Sequence, residues 1–259
     1  MQLQVSAELA DVNAATGDSS RKALSAGLAY SNAKGLSLAT REEYRLQDGT
    51  SNLQQILSVT QLDYQANEDL AMLARWRYSQ TTNRNLDTID AKFDERVLGL
   101  AYRPVRNQRF NALFKYTYLD ELRPQTNGVV TREERSMNVL SLDTSYRFVP
   151  RAEWLSKVAA RRMNESTEGR DPVATNTFLL VQRMNLTVWK PFSLGLEYRI
   201  FAQKEAQDRR QGFLSEAMWN FTKYFRAGLG YNFTDFSDDM TSSNDYRMQG
   251  WFLRVQGRY

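Results

Sequence analysis

Charge repeats at every second residue in several parts of this chain. Arg41, Glu43 and Arg45 show it, as do Arg75 with Arg77 and Glu197 with Arg199. In an extended strand successive side chains point to opposite faces, so this spacing lines one face with charge. Carried along the chain, the pattern puts Arg41, Arg45, Arg75, Arg77, Arg103, Lys115, Arg147, Lys157, Arg161, Arg183, Arg199, Arg226, Arg254 and Arg258 on that face. Glu8, Glu43, Glu95, Asp143, Glu197 and Glu216 join them, so bases exceed acids by about two to one. Such an array attracts anions and orients dipoles, and makes or breaks no bonds.

Bond-making chemistry has few candidates. The chain has no Cys and no His. Disulfides, thiolates, the usual general base and the commonest metal ligand are therefore all missing. Glu197 and Glu216 could work as a carboxylate pair, but they are as easily salt-bridge partners for Arg199 and its neighbours. No catalytic residue, cofactor or metal site is expected, and the chain is not expected to be an enzyme. Asp235, Asp238, Asp239 and Asp245 fit no calcium-loop spacing and are expected to form a solvated acidic loop. Net charge is +4, but the basic residues are spread along the chain rather than clustered, which argues against a nucleic-acid partner.

The elements that carry these charges have a period of two, not 3.6. Fourteen strands are expected. The clearest cover residues 3–9, 24–30, 70–78, 110–118, 192–200, 213–221, 227–233 and 251–259, and less regular ones lie near 36–46, 53–64, 97–102, 140–148, 154–160 and 178–189. Around Leu57, Val59, Leu62 and Tyr64 the phase changes, which predicts a bulge. No stretch of ten residues lacks a polar side chain, so a membrane helix is excluded.

Short connections near residues 31–35, 65–69, 104–109, 149–153, 190–191 and 222–224 alternate with longer ones near 11–20, 48–52, 79–91, 120–134, 164–175, 204–211 and 237–245. Aromatics recur at the short-turn ends (Tyr30, Tyr64, Tyr102, Phe110, Tyr146, Phe148, Trp154, Trp189, Phe192, Phe221, Tyr259) and again at the long-loop ends (Tyr44, Trp76, Tyr78, Tyr116, Tyr118, Phe178, Phe213, Phe233, Trp251). Two aromatic bands are what two membrane interfaces select. The expected fold is an all-β, antiparallel transmembrane up-and-down β-barrel of about fourteen strands, with short periplasmic turns and long extracellular loops. One domain over residues 1–259 uses nearly the whole chain.

The final strand places Trp251, Leu253, Val255 and Tyr259 on one face and Arg254, Gln256 and Arg258 on the other, with Phe252 breaking the rule. It resembles the signal that barrel-assembly machinery reads, with Tyr259 where Phe is usual. The segment Phe110-Asn111-Ala112-Leu113-Phe114-Lys115-Tyr116-Thr117-Tyr118-Leu119, and the run from Gly228 through Asp239 to Gly250-Trp251-Phe252, resemble the C-terminal barrel domain of large multidomain Gram-negative surface proteins. That resemblance covers mostly the second half of the chain. It implies an outer-membrane anchor or pore and supplies no catalytic residue. The implied partners are the lipid bilayer with its lipopolysaccharide, the assembly machinery, and either small anionic solutes or a partner protein.

Three functions fit these observations. In the first, the face bearing Arg41, Arg45, Arg75, Arg77, Lys115, Lys157, Arg161, Glu197, Arg199, Glu216 and Arg254 lines a porin-like channel that favours anions. In the second, the barrel anchors or translocates a partner or an N-terminal region, a reading favoured by the abrupt start at Met1 without a visible signal peptide. In the third, a structural barrel uses its long loops to bind an external target. The same charges could instead cross-pair and fill the interior. The loops at 120–134 and 164–175 are long enough to fold inward as a plug.

Overall fold

The computed structural model describes residues 1–14, 17–49, 52–126, 130–168, 170–233 and 249–257. Among them are fourteen strands: β1 (Gln2–Ala14), β2 (Gly17–Ser31), β3 (Leu36–Gly49), β4 (Leu53–Gln65), β5 (Leu70–Asn83), β6 (Thr88–Tyr102), β7 (Phe110–Thr126), β8 (Val130–Val149), β9 (Ala152–Thr167), β10 (Val173–Trp189), β11 (Phe192–Gln203), β12 (Asp208–Asn220), β13 (Phe225–Asn232) and β14 (Gly250–Gly257). They form one sheet in sequence order, with each described pairing antiparallel. The alternation of residue types dictates this. In β11, Leu194, Leu196 and Tyr198 are exposed while Gly195 and Glu197 are buried. We call these the apolar and the polar face.

The strands fall into two compact units. One comprises Met1–Leu100, Lys115–Asn138 and Met163–Ala174, the other Ala101–Phe114, Val139–Arg162 and Thr175–Tyr259. In the first unit, β1 to β5 pair in continuous register, with Leu28↔Thr40, Thr40↔Thr60 and Thr60↔Trp76 aligning apolar-face positions across four strands. In the second, Arg183↔Glu197, Glu197↔Leu214, Leu214↔Asn232 and Asn232↔Gly250 carry one row across β10 to β14.

The short turns are built by side chains that replace missing ladder bonds. Asn32 Oδ1 accepts from the amides of Lys34 and Leu36 at 3.0 and 2.9 Å. Asn67 Oδ1 accepts from Asp69 and Leu70, each at 2.9 Å, and Thr222 Oγ1 from Tyr224 and Phe225 at 3.1 and 3.0 Å. Gly35 adopts φ +81°, and a Cβ there would lie 2.7 Å from that of Gln65, so only glycine fits this turn.

Three expectations need correction. The bulge predicted around Leu57 to Tyr64 is absent: β4 keeps unbroken register with both β3 and β5. The apparent phase change arises because both faces of β4 carry apolar residues: Leu57 and Val59 point to the polar face, Ile56 and Leu62 to the apolar one. A register shift occurs instead in β10, between Thr187 and Trp189. The excursions opposite the short turns are also less irregular than expected. β5 and β6 are joined only by residues 84–87, and β11 and β12 by 204–207. The segments at 120–134 and 164–175, expected as loops, continue as strand for most of their described length. Strands of 14 to 20 residues, as in β5 and β8, exceed the roughly 9–11 that cross a bilayer, so polar residues continue the ladder into water. The last long loop, at 237–245, lies outside the described residues.

Candidate functional site

Five carboxylates on the polar face each hold two arginines. Glu43 takes Arg41 at 3.0 Å and Arg45 at 2.7 Å, all three on β3. Glu95 on β6 takes Arg75 at 3.3 Å and Arg77 at 2.7 Å from β5. Glu121 takes Arg123 at 2.8 Å and also Arg135. Glu197 takes Arg183 at 3.1 Å and also Arg199. Glu216 takes Arg183 at 2.6 Å and Arg254 at 3.1 Å. Because Arg183 is shared, these five carboxylates pair with nine guanidiniums, leaving a surplus of positive charge.

The last two groups form one chain, Arg199–Glu197–Arg183–Glu216–Arg254, running from β10 to β14. Two of its links skip a strand, which glycine makes possible. Glu216 is registered against Gly195 on one side and Gly230 on the other. Arg183 lies across Gly195, where an added Cβ would meet its Nη2 at 2.7 Å. On the other side β13 contributes Gly228 and Gly230 to this part of the face, and Arg254 reaches over it from β14. Phe252, the residue that broke the alternation, covers Gly230 from the registered position on β14. An aromatic ring over a cross-strand glycine replaces the missing side-chain contact. Glu216 is left with no exposed side-chain surface.

The other expected lining residues are placed as follows. Lys115 faces the polar side of β7, exposed and without an ion pair among the described residues. Arg161 donates to Thr177 Oγ1 at 3.4 Å, and Lys157 on the same strand makes contacts of its own. Arg258 lies outside the described residues. Sequence reasoning missed Glu121 and Arg123 because they fall in the segment taken as loop, and Arg135 because it lies between that loop and the strand expected near 140–148. Their spacing of two, in Glu121-Leu122-Arg123, was the available signal. It also missed an apolar patch on the polar face, where Leu179, with no exposed surface, packs with Ala159, Phe201 and Val181. The run Phe178-Leu179-Leu180-Val181 is apolar on both faces, so alternation could not reveal it.

The apolar face carries the two aromatic bands. At the short-turn ends Phe148 stacks on Trp154 at 6.1 Å and Trp189 on Phe192 at 4.9 Å. At the opposite ends Phe213 meets Phe233 at 5.4 Å and Tyr231 meets Trp251 at 5.1 Å. Trp251, Leu253 and Val255, three of the four expected assembly-signal residues, point to this face and are exposed. Tyr259, the fourth, lies outside the described residues.

No protein-family model matches the chain, and no curated protein does. Solved structures do. The siderophore receptor PirA from Pseudomonas aeruginosa aligns with 89% of this chain and 45% of its own, at 11% identity and a TM-score of 0.57. The copper transporter OprC aligns over 89% and 45%, at 10% identity and a TM-score of 0.51. The alcaligin outer-membrane receptor FauA from Bordetella pertussis aligns over 98% and 47%, at 10% identity and a TM-score of 0.50. The chain spans less than half the length of each of these proteins. The fold is therefore that of Gram-negative outer-membrane β-barrels: all-β, antiparallel and up-and-down, with fourteen strands in this chain.

Proposed function

We propose that the protein is an integral outer-membrane β-barrel whose polar face lines a porin-like channel favouring anions. The observation that carries this reading is the pairing of nine guanidiniums with five carboxylates on that face. Pairing fixes the arginines in place. The surplus leaves a positive potential that concentrates anions and repels cations. In this reading the short turns are periplasmic and the long hairpins extracellular. Lipopolysaccharide and phospholipid surround the apolar face, and the barrel-assembly machinery recognises the last strand. The chain transports rather than transforms its solutes, and no residue is assigned to catalysis.

Single-channel conductance of the refolded protein in a planar bilayer under a salt gradient tests the proposal. Discrete current steps with an anion-selective reversal potential are expected. A folded, heat-modifiable protein that passes no current would sink the channel and leave the membrane anchor, the role implied by the resemblance to C-terminal barrel domains.

A further inference from the structure

The apolar face of the first unit carries a carboxylate, Glu42, that takes no counter-charge among the described residues. Arg41 and Glu43 point to the polar face, so Glu42 points to the other, in line with Leu38, Tyr44 and Leu46 along β3. It is exposed, and its Oε1 accepts from Ser58 Oγ at 2.8 Å and from Thr40 Oγ1 at 3.1 Å. Thr40, its proton given to Glu42, accepts in turn from Thr60 at 3.0 Å. All three hydroxyl protons are thereby used, and Glu42 Oε2 accepts none. Asp94 and Asp120 lie on the same face, but Arg96 and Lys92 neutralise them, each at 2.8 Å. On a bilayer-facing surface a charge without a partner is costly, and hydrocarbon supplies no donor.

The second unit carries the complement. Ala159 and Arg161 on β9 point to the polar face, so Arg162 points to the apolar one. Arg162 is exposed and takes no ion pair among the described residues. Both residues sit at the aromatic band of the long-loop ends. Glu42 is two residues, about 7 Å, from Tyr44 of that band. Arg161, beside Arg162, reaches Thr177, which precedes Phe178 of the same band. Two other exposed cations of this face lie beyond it: Lys22 is registered with Leu46, and Arg209 is four residues past Phe213.

We infer that a second copy of this chain docks on this face, Glu42 of one copy meeting Arg162 of the other. Copies inserted in one orientation are related by rotation about the membrane normal, so a residue meets only residues at its own depth. Glu42 and Arg162 satisfy that condition and have opposite charge. The guanidinium supplies the donors that Oε2 lacks. Lipid tails would leave both groups unmet, and a headgroup phosphate would serve Arg162 alone. The contact is head-to-tail, with a different patch from each copy. It rests on the outer-membrane reading and not on conduction.

The test is sedimentation equilibrium of the refolded protein in detergent, with heat-modifiability reporting folding and conductance recorded on the same preparation. The wild type is expected to self-associate. Glu42→Gln, which keeps the hydroxyl contacts, should associate about tenfold more weakly, and Glu42→Arg and Arg162→Glu at least as weakly. Mixing the last two variants should restore association, because each then offers the other the opposite charge. A role within one chain predicts no such rescue. A monomeric wild type, charge variants that associate as the wild type does, or a mixture no better than its components would each overturn the contact and leave this face to lipid. Anion-selective current from a monomer removes the contact and keeps the channel. An assembled protein that passes no current removes the channel and keeps the contact.

Discussion

Arg183 reaches Glu216 at 2.6 Å by crossing the intervening strand over Gly195. The two residues belong to strands that do not pair with each other, and only a residue without a side chain leaves room for the crossing. A valine at 195 would place its first carbon 2.7 Å from Nη2 and 3.2 Å from Cζ of Arg183. Gly195→Val should therefore displace the guanidinium and weaken folding by about 1–3 kcal/mol, the usual cost of overpacking. Urea titration of the protein in lipid vesicles measures this, and unchanged stability would show that Arg183 has another route to Glu216.

In the proposed channel, selectivity should follow the ratio of arginine to carboxylate. Glu95→Gln leaves Arg75 and Arg77 without their shared counter-charge and should shift the reversal potential further towards anions. Arg77→Gln should shift it the other way. If both variants keep the wild-type reversal potential, this part of the polar face does not line the conducting path.

Leu229 and Leu253 face each other across β13 and β14, both exposed on the apolar face. Replacing either with Arg should cost about 2–4 kcal/mol if the site lies at the bilayer midplane. Folding yield in vesicles of defined thickness reads this directly. Normal folding of both variants would contradict the assignment of faces.

Much of this was legible in the sequence, and the exceptions have physical causes. Alternation located the fourteen strands and both aromatic bands because apolar and polar side chains separate onto opposite faces of each strand. It could not say where a strand stops. Glu121, Arg123 and Arg135 continue the ladder past the membrane, where polar residues are equally at home in strand or loop. It put Phe252 on the polar face but could not show what an aromatic does there, since that depends on Gly230 in a neighbouring strand. The partners of Glu216 were hidden for the same reason: period two gives a residue's face, and the skipped strand becomes visible only once the register is known.

Between β11 and β12, outside the membrane span, Glu205 accepts from the backbone and side-chain nitrogens of Asn176 at 2.6 and 2.5 Å. These bonds hold its carboxyl below the usual range, with the backbone bond the larger cause. Because the folded carboxyl titrates below its unfolded value, the contact contributes fully above the unfolded pKa and is lost as pH falls through the folded one. The protection factor of the Asn176 amide, its exchange rate set against the intrinsic rate at each pH, should therefore be high at neutral pH and fall only in acid. Glu205→Gln should remove that acid dependence, and an identical profile in wild type and variant would refute the contact.

Tyr259 follows β14 in the sequence by two residues, and Trp251, Leu253 and Val255 of that strand are exposed on the apolar face. Under the proposed recognition of the last strand by the assembly machinery, deleting Tyr259 should lower assembly in cells more than refolding in detergent, where that machinery is absent. Equal losses in both settings would assign Tyr259 a purely structural part.

The doubling of arginines on each carboxylate also bears on how this chain tolerates change. A buried carboxylate with one partner is stranded when that partner mutates, at a cost of several kcal/mol. Here Glu43, Glu95, Glu121, Glu197 and Glu216 each retain one guanidinium after any single arginine is lost; loss of Arg183 takes a partner from two carboxylates at once, and Glu197 then keeps Arg199 and Glu216 keeps Arg254. The redundancy lets the arginines drift one at a time while the carboxylates and the glycines beside Glu216 stay constrained. Relatives of this protein should differ more at the guanidinium positions than at Glu216, Gly195 and Gly230.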